Sequence, residues 1–217
     1  MKLLNLSRFS AIGFVLILLM FHLINTDIDP SWQPISEYAL GRMGWLMNIA
    51  FFLFGLSFLS LGLFFLKKEK AVVFKIAGVF LFLAAIGNIL AALFDTDPVD
   101  TLPHEMTTSG SIHAGAAGLL GFMILAAILV CFQVYRQEIL KPIRFKILSI
   151  TLTVVLLEIV MVTALGIYLG ETNGMLTSET PIGGIGRLVI LSCAVWVIVT
   201  SSSLQNLKGI HPILGPE

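Results

Sequence analysis

Six apolar runs, at residues 9–24, 43–66, 71–94, 111–134, 145–169 and 187–204, limit what this chain can fold into. A helix rises about 1.5 Å per residue, so about 20 apolar residues cross a hydrocarbon core of roughly 30 Å. The four middle runs exceed that length, the last approaches it, and the first does so by borrowing Asn25 and Thr26. None shows the period-2 alternation of a strand, and all are longer than the roughly 10 residues of a barrel strand. Composition agrees. The chain is 57% hydrophobic and 12% charged, with a mean hydropathy of +0.98, whereas a soluble domain carries about 25% charged residues. One soluble core cannot hide so much apolar surface, because most residues of a small domain touch water. A soluble enzyme, a nucleic-acid binder and a disordered chain are excluded. The expected fold is all-α, a single transmembrane domain over residues 1–217 made of six spanning helices.

Charge placement predicts the orientation. The formal net charge is zero, with 13 basic and 13 acidic residues. Eleven of the 13 basic residues lie before the first run, in or just beside the second and fourth connections, or after the last run. The other three connections hold only Arg42 and Arg187, against nine acids: Asp27, Asp29, Glu37, Asp95, Asp97, Asp100, Glu105, Glu171 and Glu179. The positive-inside rule then places both termini in the cytoplasm of a cell-membrane protein. Lys2 and Arg8 ahead of an apolar stretch have the look of a signal peptide, but no small-x-small site follows, so an uncleaved first helix is expected. Cys131 and Cys193 sit inside apolar runs and read as packing residues, with no disulfide framework.

The three acidic connections run about 16 to 18 residues, a length that usually serves function. Two of them contain Asp-x-Asp-Pro, at Asp27–Pro30 and Asp95–Pro98. These are either equivalent positions of a two-fold repeat or a recurring turn sequence.

The stretch Gln33-Pro34-Ile35-Ser36-Glu37-Tyr38-Ala39-Leu40-Gly41 with Gly44-Trp45-Leu46-Met47-Asn48, then Leu93-Phe94-Asp95-Thr96-Asp97-Pro98 with Gly110-Ser111-Ile112-His113, and Gly184-Ile185-Gly186-Arg187, resembles the domain-of-unknown-function 998 family. The resemblance touches one end of helices two, three, four and six. It implies a prokaryotic six-helix membrane protein with no assigned reaction.

Polar residues inside or beside the spans carry what chemistry there is. Asn48, Gly55 and Gly62 share a heptad stripe, and Ala114/Gly118 and Ala117/Gly121 form small-xxx-small pairs, both of which favour close helix packing. Asn48 and Asn88 either bond across helices or line a cavity. Glu158 lies mid-span, where a charged acid costs roughly 2.5–3.5 kcal/mol on insertion scales. It should face the bundle, as a proton relay or substrate contact, or as a neutral acid bonded to Asn48 or Asn88. His22, His104 and His113, with Asp97, gather toward the acidic side and offer either a zinc-like ligand set or an acid–base pair. This is loosely similar to the membrane hydrolases that include the alkaline ceramidases, although their paired histidines at helical spacing are absent here. Interfacial histidines bonded to loop carbonyls are the structural alternative. Pro181 to Arg187 leads into the last helix, where free N–H groups and a guanidinium suit an anion, unless Arg187 pairs with Glu37 or Asp97.

The expected function is binding or movement of a small or lipid-like ligand through a polar pocket open to the outer face. Ser36, Tyr38, Asn48, Asp97, His113, Glu158 and Arg187 would line it. A membrane-embedded hydrolase using Asp97, His104 and His113 is the second reading, and a structural or partner-binding subunit the third. Membrane lipid is the expected surrounding partner, nucleic acid is not, and no cofactor or resident metal is assigned.

Overall fold

The computed structural model describes residues 1–171 and 176–210. Among them the helices are α1 (Lys2–Ile24), α2 (Gly44–Lys68), α3 (Val72–Leu93), α4 (Thr108–Gly118), α5 (Gly121–Arg136), α6 (Arg144–Glu171) and α7 (Ile182–Ile210), with 3₁₀ turns at Ile35–Ala39 and Glu138–Ile143. Six helical segments are long and apolar enough to cross a membrane, with α4 and α5 together forming the fourth. The all-α, six-span expectation holds.

The helices form a ring. α1 packs on α2, α2 on α3, α3 on α4 and α5, α5 on α6, α6 on α7, and α7 returns to α1. Lipid tails are as apolar as leucine, so close fit and hydrogen bonds must hold such helices together. Phe14 and Phe54 stack with centroids 4.3 Å apart, joining α1 to α2, and Phe65 stacks on Phe74 at 5.0 Å between α2 and α3. Glycine provides the closest approach. A Cβ at Gly62 would lie 2.9 Å from the Gly78 carbonyl, and one at Gly78 equally near that of Gly62. The packing role expected of Gly55 and Gly62 is therefore met. Asn48, on the same stripe, instead donates to the Asp95 carboxylate at 3.2 Å at the helix end. Buried polar pairs tie the remaining helices: Trp196 Nε1 donates to Thr151 Oγ1 at 3.0 Å between α7 and α6, and Ser201 Oγ donates to Ser7 Oγ at 3.1 Å between α7 and α1.

Three differences from the sequence expectation have simple causes. α1 begins at Lys2, not near residue 9, because Leu4 and Ser7 are fully buried in the bundle and extend the packed face. The fourth span breaks at Leu119–Leu120, where the amides of both residues switch to i→i−3 bonds on Ala116 and Ala117. The last helix begins at Ile182, so the glycines before Arg187 form its first turn.

Acidic connections between spans are ordered by their own polar groups. The Asn25 side chain clasps Arg42 from both sides, accepting its amide N–H at 2.7 Å and donating to its carbonyl at 3.1 Å, which closes the first connection. In the second, Asp97 accepts the amide and hydroxyl of Thr107 at 2.7 and 2.9 Å, and Ser109 caps the Asp95 carbonyl at 2.8 Å. Glu37 joins the two connections. Its carboxylate is buried and accepts the Val99 amide at 2.5 Å and the Gln33 side-chain amide. Of the two Asp-x-Asp-Pro segments, the first uses Asp29 to hold its near neighbour Ser31 and the second uses Asp97 to hold Thr107, ten residues on. Their roles are not equivalent. The Ser31 hydroxyl and amide on Asp29 hold that carboxyl below its ordinary range.

Candidate functional site

The half of the ring toward the acidic connections is not filled. α4 buries only Gly110, His113 and Ala116, toward α3. From Val155 to Glu171 no residue of α6 is fully buried, and that half of α6 touches the core only through partly buried side chains such as Val155, Leu157 and Met161. Between them lies a cavity of about 720 Å³, within the range of roughly 300–1,000 Å³ typical of small-molecule sites.

Its walls are read from helix periodicity. α6 presents Glu158, Met161, Val162, Leu165 and Leu169, which recur at i, i+3, i+4, i+7 and i+11 and so form one stripe. Across from them, α4 presents Ala114, Ala117 and Gly118, and α5 presents Gly121 and Ile124. A Cβ at Gly115, Gly118 or Gly121 would meet nothing within 4 Å. The small-xxx-small pairs of this span thus do not bring a helix close, contrary to expectation. They leave room on the cavity wall, while close approach of α3 and α4 depends on Gly87, whose Cβ would sit 2.5 Å from the Ala116 carbonyl. The second connection roofs the cavity with Val99, Leu102, Pro103 and Met106. The wall is mostly apolar.

Of the seven residues expected to line a pocket, Ser36, Asp97, His113, Glu158 and Arg187 do. Tyr38 and Asn48 are not on the wall. Tyr38 is 1% exposed behind Arg187, and Asn48 is bound to Asp95. His113 is 4% exposed. Its Nδ1 lies 2.8 Å from the Phe94 carbonyl, which can only accept, so Nδ1 carries a proton and donates it there. His104 is not in the cluster. It lies at the surface beside Glu105, at 3.9 Å. Among the described residues no three His, Cys, Asp or Glu side chains gather as metal ligands.

Arg187 does not pair with Glu37 or Asp97, and opposite charges do not meet here as the sequence suggested. Its Nε donates to His22 Nε2 at 3.1 Å, Nη1 to the carbonyls of Pro30, Gln33 and Gly183 at 3.0, 2.5 and 3.0 Å, and Nη2 to the Tyr38 hydroxyl at 3.2 Å. His22 can accept because its Nδ1 proton is committed to the Leu18 carbonyl at 2.8 Å. The guanidinium therefore fastens the first connection to α1 and α7. Carbonyls outcompete carboxylates because the connection folds across the helix end and presents them there, while Asp97 is held by the Thr107 amide and hydroxyl and Glu37 by the Val99 and Gln33 amides. The anion site expected at the start of the last helix is also filled, since the Gly184 amide donates to the Ser31 carbonyl at 2.9 Å.

Glu158 differs from these groups. Among the described residues it has no hydrogen-bond or ion-pair partner, and neither Asn88, which donates to Ala84 at 3.0 Å, nor Asn48 reaches it. It lies 13 residues from the end of α6, about 20 Å along the helix, at the inner end of the cavity with Ile124.

Fold and site together define a multi-pass helical membrane protein with a cavity in one half of its bundle. The chain belongs to the DUF998 family, described as "Protein of unknown function (DUF998)", whose family model matches residues 9–203. Comparison with curated proteins and with solved structures finds no match.

Proposed function

We propose that the protein binds, and delivers to or takes from the membrane, a small lipid-like molecule held in the cavity between α4 and α6. The cavity itself carries this reading. Its wall is apolar along α4, α5 and α6, its mouth is polar at Ser36, Asp97 and His113, and its α6 wall is only loosely packed, with no fully buried residue beyond Val154, so an amphipathic molecule can enter from the side. The hydrolase reading loses support, because His104 is at the surface and the Asp97 oxygens are occupied by Thr107. Native mass spectrometry of gently solubilised protein tests the proposal. An adduct of lipid-like mass is expected, and Ala117→Trp, which places a large ring on the open wall, should remove it. Protein without an adduct, or an adduct equally retained by the Trp variant, would refute cavity binding.

We further propose that the acidic connections face outward, as the eleven-to-two division of basic residues favours. Lys2 and His104 are both exposed and lie at opposite ends of the bundle. In a background lacking Cys131 and Cys193, His104→Cys should react with an impermeant maleimide in intact cells, and Lys2→Cys only after permeabilisation. The reverse pattern would invert the orientation.

A further inference from the structure

We propose that the molecule bound in this cavity is a hydrophobic cation, an amphiphile whose amine, quaternary ammonium or comparable positive group rests against Glu158. This inference rests on the cavity being a ligand site and adds the charge of the ligand.

Four observations converge on it. Glu158 belongs to the α6 stripe that faces the cavity, along with Met161, Val162 and Leu165. The opposite face of α6, with Ile159, Val160 and Thr163, is the outside of the bundle. The carboxyl therefore points toward the space a ligand would fill. Second, it has no partner among the described residues, although every other acid or base with its side chain set into this end of the bundle has one: Glu37 has the Val99 amide, Asp97 has Thr107, and Arg187 has its carbonyls. No side chain among the described residues supplies one for Glu158, so a ligand in the cavity would meet an unpartnered acid. Third, the ionisable groups on the cavity wall are Asp97, Asp100 and Glu158 against Arg187 and His113, and the His113 Nδ1 is committed to the Phe94 carbonyl. Arg187 directs its donors into the carbonyls of the first connection, away from any ligand. Fourth, the end of the bundle from which the cavity is reached carries nine acids and two arginines, a field that concentrates cations.

Ligand charge then decides which complex is favoured. An anionic ligand would set like charges together or hold the acid protonated, and a neutral one would draw nothing from a carboxylate charge. A cation supplies what the wall lacks, and the interaction is strong because little water screens it.

Tetraphenylphosphonium and the neutral triphenylphosphine oxide are suitable probes, measured by equilibrium dialysis against protein in lipid nanodiscs with empty nanodiscs as blank. The native chain should bind the cation saturably and at least about tenfold more tightly than the neutral probe, a gap of about 1.4 kcal/mol. Glu158→Gln should remove that preference and leave neutral-probe binding unchanged, and Glu158→Asp, which keeps the charge, should retain most of it. Equal cation affinity in the native and Gln variants would overturn the assignment of Glu158 while leaving the cavity site intact. Absence of saturable binding by both probes, or binding untouched by Ala117→Trp, would overturn the cavity site and the cation inference with it. Size-exclusion profiles of the Gln and Asp variants report whether each remains folded. Should Glu158→Gln not fold, loss of the cation preference in Glu158→Asp counts against the inference, because a charge-retaining acid should preserve it.

Discussion

Replacing Arg187 with Met is expected to destabilise the protein more than any other single change considered. Arg187 is 6% exposed, and its guanidinium satisfies three carbonyls, a tyrosine hydroxyl and an imidazole nitrogen in α1, the first connection and α7. Its Cζ also lies 5.4 Å from the centroid of the Tyr38 ring. Methionine fills similar volume but donates nothing, so two or three buried acceptors lose their partners at about 1–3 kcal/mol each, and the whole loss should be about 3–5 kcal/mol. For a chain of this length that is a fall in melting temperature on the order of 10 °C, readable from tryptophan fluorescence in detergent. Lys at the same position keeps the charge but offers three donors from one point in place of a planar fork, so it should recover only part of the loss. A Met variant melting within about 2 °C of the native chain would show that the first connection is held by something other than Arg187.

Gly87→Val should cost about 1–3 kcal/mol or more, whereas Gly115→Ala should be neutral or stabilising by up to about 1 kcal/mol. The two glycines belong to neighbouring helices in the same half of the bundle, and sequence does not distinguish them. At Gly87 a Cβ would meet the Ala116 carbonyl at 2.5 Å and the Leu119 Cβ at 2.7 Å, so valine must push α4 away from α3. At Gly115 a Cβ meets nothing within 4 Å, and alanine gains helix propensity in mid-helix. Thermal unfolding of both variants checks the contrast. If Gly115→Ala instead destabilised the protein as Gly87→Val does, α4 would pack on a further helix and the cavity would be closed in solution.

Six spans, the boundaries of the middle four to within about three residues, and an all-helical architecture follow from the sequence by itself, whereas the first and last helices extend well past their apolar runs. Hydrophobic length is a one-dimensional property, and a bilayer imposes it on each segment independently. The same is true of Glu158: its place in mid-span and its facing inward follow from the cost of exposing an acid to lipid. Three further residues at the cavity, Asp97, His113 and Arg187, were legible because polar residues at helix ends are few. What each of them bonds to was not. Arg187 chose carbonyls that a folded connection places 154 and 157 residues away along the chain, and Glu37 chose an amide 62 residues away. The small residues of α4 illustrate the limit most clearly. A small-xxx-small pattern records that side chains are absent from one helix face, which is equally compatible with a neighbouring helix and with empty space. Only the path of α6, packed closely on α5 and α7 at the basic end and loosely beyond Val154, decided that this face borders a cavity.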